Sequence, residues 1–222
     1  MTMSVAISRL HFPVTTLGPG RRLGIWFQGC SIQCPGCISV ETWDKALGNT
    51  TMEGIIDVVK DWIPLTDGFT ISGGEPFDQP DALIVLLQEL RRRSTADILV
   101  FTGYPYETVR PLVTKAAGLI DALISDPFEL KVPQSLALRG SDNQRLHFLT
   151  PLGRTRFAQF ERPLQNEDQR LDIMFDDDGG VWFAGIPRRD DFVRLRKLLQ
   201  DDGHIVLIGK DEASATKDSV TP

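Results

Sequence analysis

Gly68-Phe69-Thr70-Ile71-Ser72-Gly73-Gly74-Glu75-Pro76 runs from a short apolar strand straight into a glycine-rich turn, and what surrounds it decides the fold. From Asp81 to Arg93 follows an apolar helix with Leu83, Leu86, Leu87 and Leu90 at the spacing of one helical face. Ile98-Leu99-Val100-Phe101 is then a continuous apolar run, the pattern of a parallel strand buried on both sides. Strand, turn, helix and strand in this order make a βαβ unit with a right-handed crossover. The alternation continues in both directions. Leu23 to Gln28 reads as a strand, and Thr50 with Glu53 reads as a capping box opening a helix of Met52, Ile55, Ile56 and Val59 that Pro64 ends. Downstream, a weaker helix from Tyr106 to about Ala117 precedes a strand from Leu119 to Ile124. Four such strands before residue 125 are too few for a closed eight-stranded barrel, which takes about 250 residues. The expected class is α/β, a partial, open β/α barrel over residues 1–150.

Beyond residue 150 the pattern changes to a small α+β extension, expected over residues 151–209. Gly153 to Arg170 is polar and without clean periodicity. Asp172 to Phe175 and Val181 to Ala184 read as a hairpin around Asp176-Asp177-Asp178-Gly179-Gly180. Arg189 to Asp202 reads as an amphipathic helix with Phe192, Leu195, Leu198 and Leu199 on one face, and His204 to Ile208 as a last strand. The small, polar residues 210–222 read as a disordered tail.

Of 222 residues, 24 are basic and 30 acidic, a net charge of −6 that argues against a sequence-independent hold on nucleic acid. No stretch approaches the roughly 18–20 apolar residues of a membrane span, and Met1 to Arg9 lacks the pattern of a secretory signal. The three cysteines, Cys30, Cys34 and Cys37, all fall within eight residues. An odd, tight cluster is a poor disulfide framework and points to a reducing, cytoplasmic setting.

The cysteines have the spacing C-x3-C-x2-C in Cys30-Ser31-Ile32-Gln33-Cys34-Pro35-Gly36-Cys37. Thiolates hold soft metals and Fe–S clusters. A cubane has four irons, so three ligands leave one open to an exogenous molecule, as an open position does in catalytic metal sites. A Cys3His zinc site would need His11 from well upstream, and inert core thiols are the remaining reading. The second element is the Gly73-Gly74-Glu75-Pro76 turn at a strand's carboxyl end, where parallel sheets bind ligands. Its glycines permit close approach of a ligand and Glu75 offers a carboxylate to an ammonium group; a ligand-free β-to-α turn is the alternative.

Together these elements resemble the radical S-adenosylmethionine (SAM) superfamily, whose signature is C-x3-C-x2-C followed by G-G-E-P. Gly18-Pro19-Gly20, Phe27-Gln28-Gly29-Cys30, Cys34-Pro35-Gly36-Cys37 and Thr42-Trp43 narrow the resemblance to the anaerobic ribonucleotide reductase activating family. So do Thr102-Gly103-Tyr104 with Tyr106-Glu107, Asp126-Pro127-Phe128, and Arg139-Gly140-Ser141-Asp142-Asn143-Gln144-Arg145. The resemblance spans residues 8 to about 149. It implies an open barrel of the radical SAM type, with Cys30, Cys34 and Cys37 ligating a [4Fe-4S] cluster. It implies SAM chelating the open iron, its amino group received by Gly73, Gly74 and Glu75 and its adenine approached by Gly36 and Ile38 beside Cys37. Reductive cleavage would yield methionine and a 5′-deoxyadenosyl radical, which takes a hydrogen from a glycine of a large partner enzyme; flavodoxin or ferredoxin would be the reductant. The chain departs from the family pattern in three places. Ile38 stands where an aromatic residue is usual, Ser125-Asp126 replaces Asp-Gly before Pro127-Phe128, and the chain after residue 150 has no counterpart.

Two other functions compete. One keeps SAM cleavage but acts on a peptide or small metabolite; the other is a non-catalytic Fe–S electron carrier or redox sensor. Other signals carry less. Arg91-Arg92-Arg93 suits a helix C-terminus, Asp176 to Asp178 an acidic turn, and His11, His147 and His204 pair with no nucleophile in sequence. Arg139 and Arg145 read either as contacts to SAM or a partner, or as solvated salt bridges. The extension is expected to dock or cover.

Overall fold

The computed structural model describes residues 3–175 and 180–203. The expected Asp176-to-Gly179 turn, the His204-to-Ile208 strand and the 210–222 tail lie outside the described residues.

The βαβ reading holds at the centre. β2 (Arg22–Phe27), β4 (Gly68–Gly73), β5 (Asp97–Phe101) and β6 (Ala122–Ser125) are parallel neighbours, with Leu23 paired to Phe69, Phe69 to Ile98 and Leu99 to Ala122. Three further strands were not anticipated. β1 (Ser4–Val14) runs antiparallel beside β2, β3 (Asn49–Thr51) beside β1, and β7 (Arg145–Phe148) beside β6. The resulting seven-stranded sheet has the order β3-β1-β2-β4-β5-β6-β7.

α1 (Met52–Val59), α2 (Pro80–Arg93) and α3 (Tyr106–Lys115) cover one face of this sheet. Their Ile55, Val59, Leu83, Leu86, Leu87, Leu90, Val109 and Val113 pack with alternate strand residues Leu23, Ile25, Phe27, Phe69, Ile71, Ile98, Val100 and Leu123. Each fully buried leucine contributes roughly 1.5–3 kcal/mol, so this layer carries much of the fold. The cap of α1 differs from expectation: Thr51, not Thr50, accepts the Gly54 N–H at 3.1 Å. Both threonines pair with β1, Thr50 with Val5 and Thr51 with Ser4, and the helix starts directly after Thr51, the last residue of β3.

The intervening strand residues point to the other face, and the chain after residue 150 packs there. Thr150 caps α4 (Pro151–Phe157), with Pro151 in its first turn and Phe157 fully buried against Leu99, Ala122 and Ile124. The expected hairpin forms as β8 (Leu171–Phe175) and β9 (Val181–Gly185), Met174 opposite Trp182. Met174, Trp182 and Ala184 pack with Val14, Leu17 and Trp26. Asp172 fastens the hairpin to the end of β1 by accepting the Thr15 and Thr16 N–H groups at 2.6 and 3.2 Å.

Met1–Ile186 form one compact unit and a second begins at Pro187. The second contains α5 (Asp191–Asp201). Phe192, Leu195 and Leu199 are half-buried, whereas Leu198, expected on their face, is exposed. Among the described residues no helix is long and apolar enough to cross a membrane.

Candidate metal centre

Because β2, β4, β5 and β6 are parallel, their following loops gather at one edge of the sheet. There lie the cysteine loop after β2, Gly73-Gly74-Glu75 at the end of β4, Thr102-Gly103-Tyr104 after β5 and Asp126-Pro127-Phe128 after β6.

The cysteine loop is held by backbone bonds across its neck. Gly29 N–H donates to Thr42 O at 2.7 Å and Cys30 N–H to Trp43 O at 3.2 Å. Gln28 spans the same neck, its Nε2 donating to Glu41 O at 3.0 Å and Asp44 O at 2.8 Å. Gly36 turns the loop at φ +85°, a left-handed conformation that favours glycine. The three thiols are free. Gln33 N–H approaches Cys30 Sγ at 3.5 Å, and Ser39 N–H approaches Cys37 Sγ at 3.4 Å.

Burial pushes the Cys34 and Cys37 thiols up, so metal insertion must displace their protons. Among the described residues no three His, Cys, Asp or Glu side chains converge on a single ion. Three thiols on one loop, two of them with N–H groups at their sulfurs, fit a polynuclear iron–sulfur cluster.

Gly73 and Gly74 do make a close approach, but to the cysteine loop. A Cβ on Gly74 would lie 2.2 Å from Gly29 O, and one on Gly73, at φ +107°, would lie 2.4 Å from Phe27 N and O. Gly74 N–H and Glu75 N–H donate to Phe27 O and Gly29 O at 2.8 Å each. The turn is therefore knitted to the loop that carries the thiols.

Glu75 is 1% exposed. Its Oε1 accepts the Phe77 N–H at 3.0 Å and the Thr102 hydroxyl at 2.8 Å, and its Oε2 accepts the Gly103 N–H at 2.9 Å. These donors use three of about four lone-pair sites and include no cation. Burial outweighs them and pushes the carboxyl up to about 7. Ile38 is 51% exposed, and Gly36 faces Leu130.

Asp78 is a positioning residue that the sequence reading missed. It accepts the Ser31 N–H, the Ser31 hydroxyl and the Tyr104 hydroxyl, each at 2.8 Å, with Lys45 Nζ at 3.4 Å. These donors hold it below the usual carboxylate range. Its place at the head of the turn after Glu75-Pro76, ahead of α2, was the available signal.

Arg139 and Arg145 are both paired within the chain. Arg139 is 3% exposed and pairs with Glu161, which removes the solvated reading for it. Arg145 makes two 2.8 Å bonds to Glu107 and reaches Asp126 at 2.7 and 3.0 Å. His147, unpaired in sequence, has Nε2 2.9 Å from Ser125 Oγ, but Ser125 is fully buried and donates to Asp126. Arg91 is structural, bonding Leu119 O, Ala96 O and Asp121.

A family model described as a 4Fe-4S single cluster domain matches residues 16–147. The anaerobic ribonucleoside-triphosphate reductase-activating protein of Escherichia coli K12 is 35% identical over 150 residues, spanning 63% of this chain and 96% of its own length. The protein of that name from Enterobacteria phage T4 is 31% identical, over 58% of this chain and 85% of its own. The chain belongs to this activating-protein family. Its iron–sulfur reading rests on the matched domain, which contains Cys30, Cys34 and Cys37. The activating proteins align over nearly their whole length, so more than a third of this chain has no counterpart in the Escherichia coli relative.

Proposed function

We propose that this chain is a radical SAM activase that generates a glycyl radical on a partner such as anaerobic ribonucleotide reductase. One observation carries the reading: three free thiols on a loop bonded, backbone to backbone, to a turn whose buried Glu75 lacks a cation. Cys30, Cys34 and Cys37 would hold the [4Fe-4S] cluster. When bound, cluster and SAM supply an electron and a sulfonium whose cleavage gives methionine and a 5′-deoxyadenosyl radical. The chain's own residues bind and orient. Glu75 would receive the ammonium group of SAM through its remaining lone pair, and Gly36 and Ile38 would border the adenine. The four parallel strands with helices on one face are read as the open barrel of the radical SAM type, and the reducing setting as cytoplasmic, with flavodoxin or ferredoxin supplying the electron.

The test is anaerobic reconstitution, dithionite reduction and addition of SAM, with 5′-deoxyadenosine as readout. Product no greater than in a Cys34→Ala control would leave only the electron-carrier reading. Incubation with the glycyl radical enzyme of the same genome should give a glycyl EPR doublet. A peptide or small-metabolite acceptor is favoured by one feature, the segment from Pro151 to Gly185 packed on the sheet face opposite α1 to α3. The absence of any encoded glycyl radical enzyme would transfer the assignment to that acceptor class.

A further inference from the structure

Three residues directly after β5, Thr102, Gly103 and Tyr104, touch both the Glu75 carboxylate and the cysteine loop. Thr102 Oγ1 donates to Glu75 Oε1 at 2.8 Å and Gly103 N–H to Glu75 Oε2 at 2.9 Å. Tyr104 N–H donates to Thr102 Oγ1 at 3.1 Å, which leaves the Thr102 proton for the carboxylate. The Tyr104 side chain reaches the other way. Its hydroxyl donates to Asp78 Oδ1 at 2.8 Å and lies 2.8 Å from Ser31 Oγ. Ile32 comes next in the loop, so close to Gly103 that a Cβ there would lie 2.8 Å from Ile32 Cδ1. Tyr104 is itself anchored: its ring packs against the core and its carbonyl accepts the Asp126 N–H at 3.0 Å.

Ser31, Ile32 and Gln33 are the three residues between Cys30 and Cys34, and their shape sets how those two thiols stand to each other. It is a shape that needs holding. Gln33 is at φ +50°, a left-handed conformation that costs a residue with a side chain, and Ser31 and Gln33 are both exposed. Ser31 is held by Asp78, which accepts its N–H and its hydroxyl. The Ser31 and Tyr104 hydroxyls carry one proton each, and both go to the charged acceptor, the Asp78 carboxylate. The ion pair of Asp78 with Lys45 is exposed on the lysine side and adds little. Tyr104 thus ties the Asp78–Ser31 pair to β5, the strand whose end also holds Glu75.

We infer that Tyr104 is a positioning residue that, through Asp78 and Ser31, fixes the Cys30-to-Cys34 arm of the loop relative to Glu75, and so keeps the cluster ligands and the SAM-binding carboxylate in register. Groups that orient metal ligands from outside the ligand set are worth much of a site's affinity. The hold on the cluster needs only the three cysteines as ligands, whereas the effect on SAM rests on the function proposed above.

The test compares Tyr104→Phe, which keeps the ring and loses the hydroxyl, with Thr150→Ala, which loses a bonded hydroxyl at the opposite edge of the sheet. Both are reconstituted anaerobically in the full chain. In Tyr104→Phe, loss of the cluster to a chelator should be about tenfold faster, the effect of removing an outer-shell partner. The SAM concentration that gives half of the change in the reduced cluster's EPR spectrum should rise severalfold. Thr150→Ala should match wild type in both. Wild-type chelator resistance or a wild-type SAM half-point in Tyr104→Phe overturns the inference, as does equal damage in Thr150→Ala, which would mean a general loss of stability. If SAM leaves the wild-type spectrum unchanged, the function proposed above fails and takes the SAM effect with it, while the chelator comparison still decides the hold on the loop. If Tyr104→Phe fails to fold, Ser31→Ala decides by the same chelator comparison, and wild-type resistance there is the overturning result.

Discussion

Two carboxylates are buried at opposite edges of the same parallel strands, and their partners differ in kind. Asp97, 2% exposed at the amino edge, accepts from Arg22 at 2.6 Å and from Arg156 at 2.8 Å. Arg22 is itself fully buried, and burial lowers its pKa against the pull of Asp97. Glu75, 1% exposed at the carboxyl edge, has two backbone N–H groups and a hydroxyl. The amino edge is electrostatically closed and ties α4 to β2 and β5. At the carboxyl edge a buried anion is left to find its cation elsewhere, and perturbed groups of that kind mark functional sites.

The largest effect should follow breaking the closed edge. Asp97→Ala leaves Arg22 buried and unpaired and should cost about 3–5 kcal/mol of stability, measured by urea denaturation of the apoprotein. A loss under about 1 kcal/mol would mean that charge pairing is not what holds this edge. Titrating the open edge comes next. The Glu75 carboxyl is raised from 4.5 to about 7, so the folded state binds its proton more tightly than the unfolded state. Apoprotein stability should therefore fall as pH rises from about 4.5 to about 7, by up to about 3 kcal/mol, and stay level above that. SAM binding should tighten through the same window, because the ammonium needs the carboxylate. A flat profile for both would remove Glu75 from the site.

Glu75→Ala should weaken SAM binding to the reconstituted protein by about 10–100-fold, the worth of one charge-assisted hydrogen bond, as read by calorimetry. The smallest effect belongs to Asp78→Asn, which sets an amide NH2 against the donors from Ser31 and Tyr104. It should cost about 1–2 kcal/mol and speed hydrogen exchange at Ser31, and unchanged exchange there would deny Asp78 its hold on the loop.

The elements that were legible in sequence are those with a local signal. The apolar run Ile98 to Phe101 and the leucine stripe of α2 state their structure within one window, and the cysteine spacing states its chemistry within eight residues. β7 was missed because Arg-Leu-His-Phe is short and alternates only twice. α4 was missed although Thr150-Pro151 is a cap followed by a first-turn proline, since the helix is short and the polar residues after it hid the signal.

Local pattern thus determined the βαβ order, the buried strands and the three thiols, because propensity, hydrophobic period and ligand spacing act over a few residues. Tertiary structure alone decided what those thiols and carboxylates meet. It set Gly73 and Gly74 against the cysteine loop, gave Asp78 to Ser31, and divided Glu75 from Asp97 in charge balance. The physical reason is range. A hydrogen bond or an ion pair depends on separation in space and on desolvation, and both are set by how distant segments pack.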